Sequence, residues 1–247
     1  MSTRASSAPA SDRSAGFPMM ERPSTALLLA LTSGVLNAWT FATVGTFATV
    51  QSGNLITIGY FGAQGDWDRA STALASIFAF GLGATLCAIA IALILRRGRA
   101  YSPWVLLFEV LTLLACVVLT TADLAPAVGV VLAVSFIAGI QGNAFHRDHG
   151  MLYGNTAMTF VVQMAFSFLG RALVRRHLDD SDHHLQIASM YGLLLAVFAT
   201  GGAAGFLLEK FWSTAPLLAA ALTVLVLGVV TARCPGPVDP QQTAPTP

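Results

Sequence analysis

Long apolar segments alternate with short polar connections along most of the chain. A helix that crosses a bilayer takes about 20 largely apolar residues, and six segments reach or nearly reach that length. They are residues 25–48, 71–95, 103–121, 125–145, 186–208 and 214–233. Two further apolar segments, 53–63 and 154–169, are harder to place because the first is too short to cross and the second is borderline. The pattern predicts an all-α bundle of six transmembrane helices.

The positions of the basic residues decide between six spans and eight. Lys and Arg in short loops favour the cytoplasmic side of a membrane. With six spans and a cytoplasmic N-terminus, that side receives eleven of the thirteen Lys and Arg residues, and only Arg69 and Lys210 lie opposite. Eight spans would move Arg96, Arg97 and Arg99 away from the N-terminal arginines. We therefore expect six spans with both termini cytoplasmic, and re-entrant or interfacial segments at 53–63 and 154–169.

The two ends of the chain differ from the apolar middle. Residues 1–24 are rich in Ser, Ala, Pro and Arg, and residues 234–247 in Pro, Gln and Thr, so neither buries enough apolar surface to order itself. We expect disordered tails around a single transmembrane domain at 25–233. A cleaved signal peptide is the competing hypothesis for the N-terminus. It is disfavoured because the apolar character continues from Ala26 to Val50.

Composition and charge exclude several classes of protein. Only 10% of the residues are charged and 55% are hydrophobic, with a mean hydropathy of +0.69, whereas soluble domains carry about 25% charged residues. The net charge of +1 offers no basic surface for nucleic acid. The three cysteines lack the spacing of a zinc site or a disulfide framework. No catalytic or nucleotide-binding fingerprint occurs, so we expect neither an enzyme nor a bound cofactor.

Two asparagine-containing signatures occur in both halves of the chain. Residues 33–38 read SGVLNA and residues 139–144 read GIQGNA; downstream, residues 52–55 read SGNL and residues 153–156 read YGNT. A glycine-rich stretch at 80–84 is echoed at 201–205. The halves, about 25–121 and 125–233, hold three spans each. Because three is odd, similar halves must enter the membrane in opposite orientations, which predicts an inverted 3+3 repeat.

These signatures resemble the YoaK family, which carries domain of unknown function 1275. The resemblance covers roughly residues 25–233, and its most specific elements are SGNL at 52–55 and QGNA at 141–144. Tyr153 departs from the pattern, because Thr or Ser is expected before Gly154. The resemblance implies a small multi-pass protein of the bacterial inner membrane and supplies no reaction.

Polar residues inside the spans are the candidates for function, because burying them in a bilayer is costly. The duplicated asparagines and an adjacent serine lead the set: Asn37, Asn54, Asn143, Asn155 and Ser52. Around a central cavity they would bind a small polar or ionic solute; the alternative is that each amide holds two helices together. Glu109 either pairs with an arginine such as Arg147 or carries a proton.

Three functions remain open at this stage. A small-solute transporter embedded in the lipid bilayer predicts a solvated cavity that reaches the asparagines. A membrane scaffold predicts a dry interior, and an intramembrane lipid-modifying enzyme predicts a lateral opening beside Glu109. The histidines at 146, 149, 183 and 184 fit a solvated rim better than a metal site, which needs further ligands. A homo-oligomer is compatible with each of the three.

Overall fold

The computed structural model describes residues 22–97, 99–145, 158–175 and 183–233, and the backbone of 147–148 and 151–152. Within these ranges the chain is helical except for one short hairpin and the connections. The elements are α1 (Pro23–Val44), α2 (Gln51–Gln64), α3 (Trp67–Arg96), α4 (Ser102–Thr121), α5 (Ala127–Ala144), β1 (Arg147–Asp148), β2 (Met151–Leu152), α6 (Met158–Leu173), α7 (His184–Phe211) and α8 (Ala215–Arg233). The strands are antiparallel, with Arg147 opposite Leu152. The predicted C-terminal tail, residues 1–21 and Asn155 lie outside the described residues.

Six of the described helices are long and apolar enough to cross a membrane, namely α1, α3, α4, α5, α7 and α8. They coincide with the six predicted spans, so the all-helical architecture with six candidate membrane spans is confirmed. The first span is shorter than predicted, because α1 ends at Val44 and not near Ala48. Gly45 stops it by adopting a left-handed conformation, with φ 73°, while its N–H bonds to the Phe41 carbonyl.

The two shorter apolar segments are regular helices. Each packs against the long helix that follows it, α2 on α3 and α6 on α7. Gly65, with φ 79°, ends α2, and Asp66 then caps α3 by accepting the Arg69 N–H. The 30 residues of α3 extend about 45 Å, which exceeds the roughly 30 Å hydrocarbon core. The Gly-Asn pair at 53–54 lies in the first turn of α2.

The helices α1 and α5 form the centre of the bundle. They are the two most buried of the six candidate spans. Helix α7 lies along α1, and α3 lies along α5. Helices α4 and α8 pack against each other, while α4 also contacts α5 and α8 also contacts α1. Each central helix is therefore flanked by one long helix and one of the pair α4 and α8.

Glycines permit the close packing of these long helices. A Cβ built on Gly34 would lie 2.1 Å from the Phe198 carbonyl oxygen, and one on Gly201 would lie 2.3 Å from that of Leu31. Because Gly34 approaches α7 near Phe198 and the Val35 backbone lies near Gly205, the two helices run in the same direction. The absence of a side chain lets their backbones touch.

The same kind of contact joins α3 to α5. A Cβ on Gly139 would lie 2.0 Å from the Phe80 carbonyl oxygen, and one on Gly83 would lie 2.0 Å from that of Phe136. Ser76 and Ser135 lie further towards the N-terminal ends of the same helices, with their hydroxyl oxygens 2.9 Å apart. This pair is therefore also parallel.

Charge differs between the two ends of the bundle. One end, which we call the basic end, holds these described arginines: Arg22, Arg96, Arg97, Arg99, Arg171, Arg175 and Arg233. The opposite end holds Asp66, Asp68, Arg69, Asp123, Glu209 and Lys210. Most of the described arginines thus lie at one end of the bundle, as the six-span topology predicts.

Tryptophans occupy both the surface and the core. Trp67, Trp104 and Trp212 are exposed near helix ends, as anchors at a membrane interface would be. Trp39 departs from that expectation, because it is buried and its indole N–H donates to the Ser213 carbonyl at 2.8 Å. This bond ties α1 to the connection between α7 and α8.

Candidate functional site

Asn54 holds the backbone of the connection between α1 and α2. Its Oδ1 accepts the Phe47 N–H at 3.1 Å, and its Nδ2 donates to the Phe47 carbonyl at 2.7 Å. The same Nδ2 lies 2.8 Å from Gln51 Oε1 and 3.2 Å from Ser76 Oγ. The side chain is fully buried. One amide thus satisfies both backbone groups of a residue that no helix includes.

Gly53 explains why glycine precedes this asparagine. A Cβ at Gly53 would lie 3.0 Å from the Phe47 ring, which also stacks on Phe41 with ring centroids 4.9 Å apart. The glycine makes room for the ring, while Asn54 binds the backbone of the same residue. The Gly-Asn signature of the first half is thus a clamp on Phe47.

Asn37 holds the same connection from α1. Its Oδ1 accepts the Thr49 N–H at 3.0 Å, and its Nδ2 donates to the Thr49 hydroxyl. Thr46, Ala48 and Thr49 are buried, and backbone groups buried in a membrane protein need such internal partners. Asn37 and Asn54 thus bind the same connection, and protein atoms engage both amides; their predicted role in binding a solute stays a prediction.

Two serines extend this hydrogen-bonded cluster across the bundle. Ser76 Oγ on α3 donates to the Phe47 carbonyl at 3.1 Å and meets Ser135 Oγ on α5 at 2.9 Å. Ser135 Oγ also lies 3.1 Å from the Val131 carbonyl oxygen. Neither serine was predicted from the sequence, because a single serine in an apolar span has no distinguishing spacing.

The other predicted site residues lie elsewhere. Ser52 is exposed, although it directly precedes Gly53. The side chain of Asn143 on α5 interacts with Cys87 on α3 and belongs to a different contact from Asn37 and Asn54. Asn155 lies outside the described residues, so its predicted role stays a prediction.

Glu109 lies in an apolar region of the bundle. The residue is 1% exposed, and neither carboxyl oxygen has a hydrogen-bond partner among the described residues. In the described part of the chain the ion pair found is Arg69 with Asp66, at 3.5 Å. The predicted partner Arg147 has a side chain outside the described residues.

Two other buried polar side chains near the bundle centre also have no hydrogen-bond partner among the described residues. Gln141 on α5 is fully buried, and both its amide nitrogen and oxygen lack partners. Ser33, one turn before Asn37 on α1, is also fully buried with an unpartnered hydroxyl. Unpaired buried polar groups cost about 1–3 kcal/mol each. Their presence in the interior therefore needs an explanation.

Cavities border the described helices. One is an apolar groove of about 320 Å³ between α4 and α8, with Leu106, Val110 and Gly228 in its lining. Another, of about 600 Å³, lies beside Arg175, His183 and Ser189 at the basic end. The side chains of Asn37, Asn54 and Glu109 line neither of them.

Metal binding finds no support in the described residues. Among them, no three His, Cys, Asp or Glu side chains are grouped so as to hold an ion. His184 is buried instead against Phe168, with ring centroids 5.9 Å apart.

Comparison with known proteins places the chain in a family. The search of curated proteins and the search of solved structures each gave no match. One family model, described as protein of unknown function (DUF1275), matches residues 25–230. The match spans the helical region from α1 almost to the end of α8. The chain therefore belongs to the DUF1275 family of proteins of unknown function.

Proposed function

We propose that the protein is a carrier for a small polar or ionic solute, built as an inverted repeat of α1–α4 and α5–α8. The observation that carries the proposal is a duplicated set of glycine contacts. Gly34 meets the carbonyl of Phe198 as Gly139 meets that of Phe80, and Gly201 meets that of Leu31 as Gly83 meets that of Phe136. Corresponding residues of the two halves thus make corresponding contacts. Such repeats are common among secondary transporters.

The helix neighbours support the same equivalence. Helix α1 packs on α7 as α5 packs on α3, and α2 packs on α3 as α6 packs on α7. The contact of α4 with α5 corresponds to that of α8 with α1. In each half, the long third helix therefore packs against the central helix of the other half.

The spacing between the glycine and the asparagine differs by one residue between the two halves, and this gives the two asparagines different roles. Asn37 follows Gly34 by three positions, whereas Asn143 follows Gly139 by four. One helical residue is a rotation of about 100°, so the two amides point in different directions. This rotation accounts for the contact of Asn37 with the 45–50 connection and of Asn143 with α3.

In this proposal two lobes move against each other. The lobes are α1 with α6 and α7, and α5 with α2 and α3. Ser33 and Gln141 lie on the two central helices, one in each lobe, and would face the solute pathway as the lobes separate. The basic end would face the cytoplasm, following the preference of arginines for that side, in the bacterial inner membrane.

Alternating exposure of Ser33 tests the proposal. A single cysteine at this position, Ser33→Cys, would be made in a background without the native cysteines and reconstituted in vesicles. We expect a membrane-impermeant thiol reagent to modify it, because a carrier exposes its central pathway, although Ser33 is fully buried in this conformation.

Two further cysteine variants calibrate the experiment. Ala30→Cys lies in the buried cluster of α1, α6 and α7, inside one lobe, and should stay unmodified. Asp68→Cys lies on an exposed position at the polar start of α3 and should react throughout. If Ser33→Cys stays as unreactive as Ala30→Cys across a broad library of added solutes, the carrier proposal fails.

A membrane scaffold is the second candidate, and one observation favours it. Protein atoms occupy the amide groups of Asn37 and Asn54, so neither is open for a solute in this conformation. A scaffold keeps that interior closed. Persistent protection of Ser33→Cys is the result that a scaffold predicts.

A further inference from the structure

Two unpartnered polar side chains lie at the same depth on neighbouring helices. Glu109 on α4 and Gln141 on α5 are about 18 Å and about 21 Å along their helices from the short connection that joins them. Both are almost completely buried, and in the part of the chain that the structure describes none of their four side-chain polar atoms has a hydrogen-bond partner. The two helices pack against each other.

The surroundings supply no charge to balance a carboxylate. In the described residues, α5 has no titratable side chain, and α8 has only Arg233 at its end. On α4 the nearest titratable group is the thiol of Cys116, about 10 Å further along the helix. A buried ionised carboxylate without a partner is strongly unfavourable. Among the described residues nothing balances the charge of Glu109, which leaves a small cation as its partner.

The number of available oxygens distinguishes the cations. Glu109 and Gln141 together offer three side-chain oxygens, whereas Ca²⁺ and Mg²⁺ take six or more oxygen ligands. A proton needs one carboxyl oxygen and gains from one acceptor, and the unpartnered amide oxygen of Gln141 lies on the neighbouring helix. We propose that Glu109 and Gln141 form a proton-binding site, in which Glu109 carries the proton and the Gln141 amide stabilises the acid.

The site deepens the proposed function and takes its role from it, since a carrier would use this proton to drive solute movement. Glu109 lies about 10 Å along α4 from its start at the basic end. Exchange with the aqueous phase at that end is therefore the short route. The proton is bound and released, with no bond broken other than the O–H of the acid.

Carbodiimide labelling tests the site without any transport measurement. Dicyclohexylcarbodiimide partitions into apolar regions and reacts with carboxylic acids, and the groove between α4 and α8 brings it alongside Leu106 and Val110. We expect peptide mass spectrometry of the full-length protein to find the adduct on Glu109. The yield of the adduct should fall as the pH of the labelling reaction is raised, and it should recover when protein returned to lower pH is then labelled. Glu109→Gln should lose the adduct, and the partly exposed Glu209 at the opposite end of the bundle should remain unlabelled.

Infrared difference spectroscopy removes the dependence on reagent access. The carboxylic acid C=O band should be present in the wild type, absent in Glu109→Gln, and shifted in Gln141→Leu, which keeps the acid and removes the amide. A carboxylate at every pH overturns the proposal, as does an acid band that no pH removes. Loss of the band on adding Na⁺, with K⁺ as the control, assigns the site to a metal cation and also overturns it.

The tests of the proton site and the cysteine test of the carrier can fail independently of each other. Labelling and infrared spectra report the protonation of Glu109 even in a protein that moves no solute. Protection of Ser33→Cys would refute the carrier and leave the proton site standing.

Discussion

Gly139→Ala is expected to lower the free energy of unfolding by about 3 kcal/mol, the upper part of the range for overpacking. The added Cβ would lie 2.0 Å from the Phe80 carbonyl oxygen and 2.8 Å from its carbon. Both atoms belong to the backbone, so no change of side-chain rotamer can relieve the clash. Helices α3 and α5 would have to separate, and contacts along both would weaken. Thermal unfolding of the detergent-solubilised protein measures the loss.

Glycines in open positions of the same structure provide matched controls. A Cβ at Gly81 on α3, or at Gly202 on α7, meets nothing within 4 Å. Alanine at either position should keep or slightly raise stability, because alanine favours helix by up to about 1 kcal/mol over glycine. Gly139→Ala as stable as Gly81→Ala would contradict the packing of α3 on α5.

The inverted repeat adds a quantitative expectation. Gly34→Ala should cost about as much as Gly139→Ala, because its Cβ would lie 2.1 Å from the Phe198 carbonyl oxygen. A large loss in one half and none in the other would refute the equivalence of the two halves.

Asn54→Leu is expected to lower the free energy of unfolding by about 2–3 kcal/mol, on the scale of unpaired buried polar groups. Leucine has nearly the same size but leaves the Phe47 N–H without its bond to Asn54 and removes the bonds to Gln51 and Ser76. Interhelical hydrogen bonds in membranes average only about 0.6 kcal/mol. The larger value applies here because the lost partner is a backbone group outside any helix.

Two substitutions near Asn54 separate a structural role from a binding role. Ser52→Ala on the exposed position should leave stability unchanged. Ser76→Ala should cost less than Asn54→Leu, because Asn54 still bonds to the Phe47 carbonyl. If Asn54→Leu kept the wild-type unfolding temperature and abolished a solute-induced thermal shift, the amide would be a ligand-binding group and not a clamp.

Hydropathy determined the spans reliably for a physical reason. A bilayer imposes one length on every crossing helix, so six long apolar segments sufficed to identify six helices. The end of the first span was predicted too late because Thr46, Ala48 and Thr49 are compatible with an apolar helix. Only the left-handed conformation of Gly45 and the hydrogen bonds from Asn37 and Asn54 stop α1 at Val44.

The candidate site was predictable in part. The Asn-containing signatures pointed to Asn37 and Asn54, which the fold brings to one connection. Their roles did not follow from the sequence, because an amide looks the same whether it binds a solute or a backbone. Ser76 and Ser135 were missed, since only the packing of α3 on α5 makes them neighbours.

The sequence by itself determined the membrane environment, the number of spans and the duplicated signatures, because bilayer thickness and helix geometry act on local stretches of chain. The tertiary structure decided which helices touch, since a close contact depends on whether a glycine such as Gly139 faces a carbonyl on another helix. It also decided which polar groups remain without partners. The sequence singled out Glu109 as a polar residue within a span, and only the packing of the surrounding helices leaves it and Gln141 buried without a hydrogen-bond partner among the described residues.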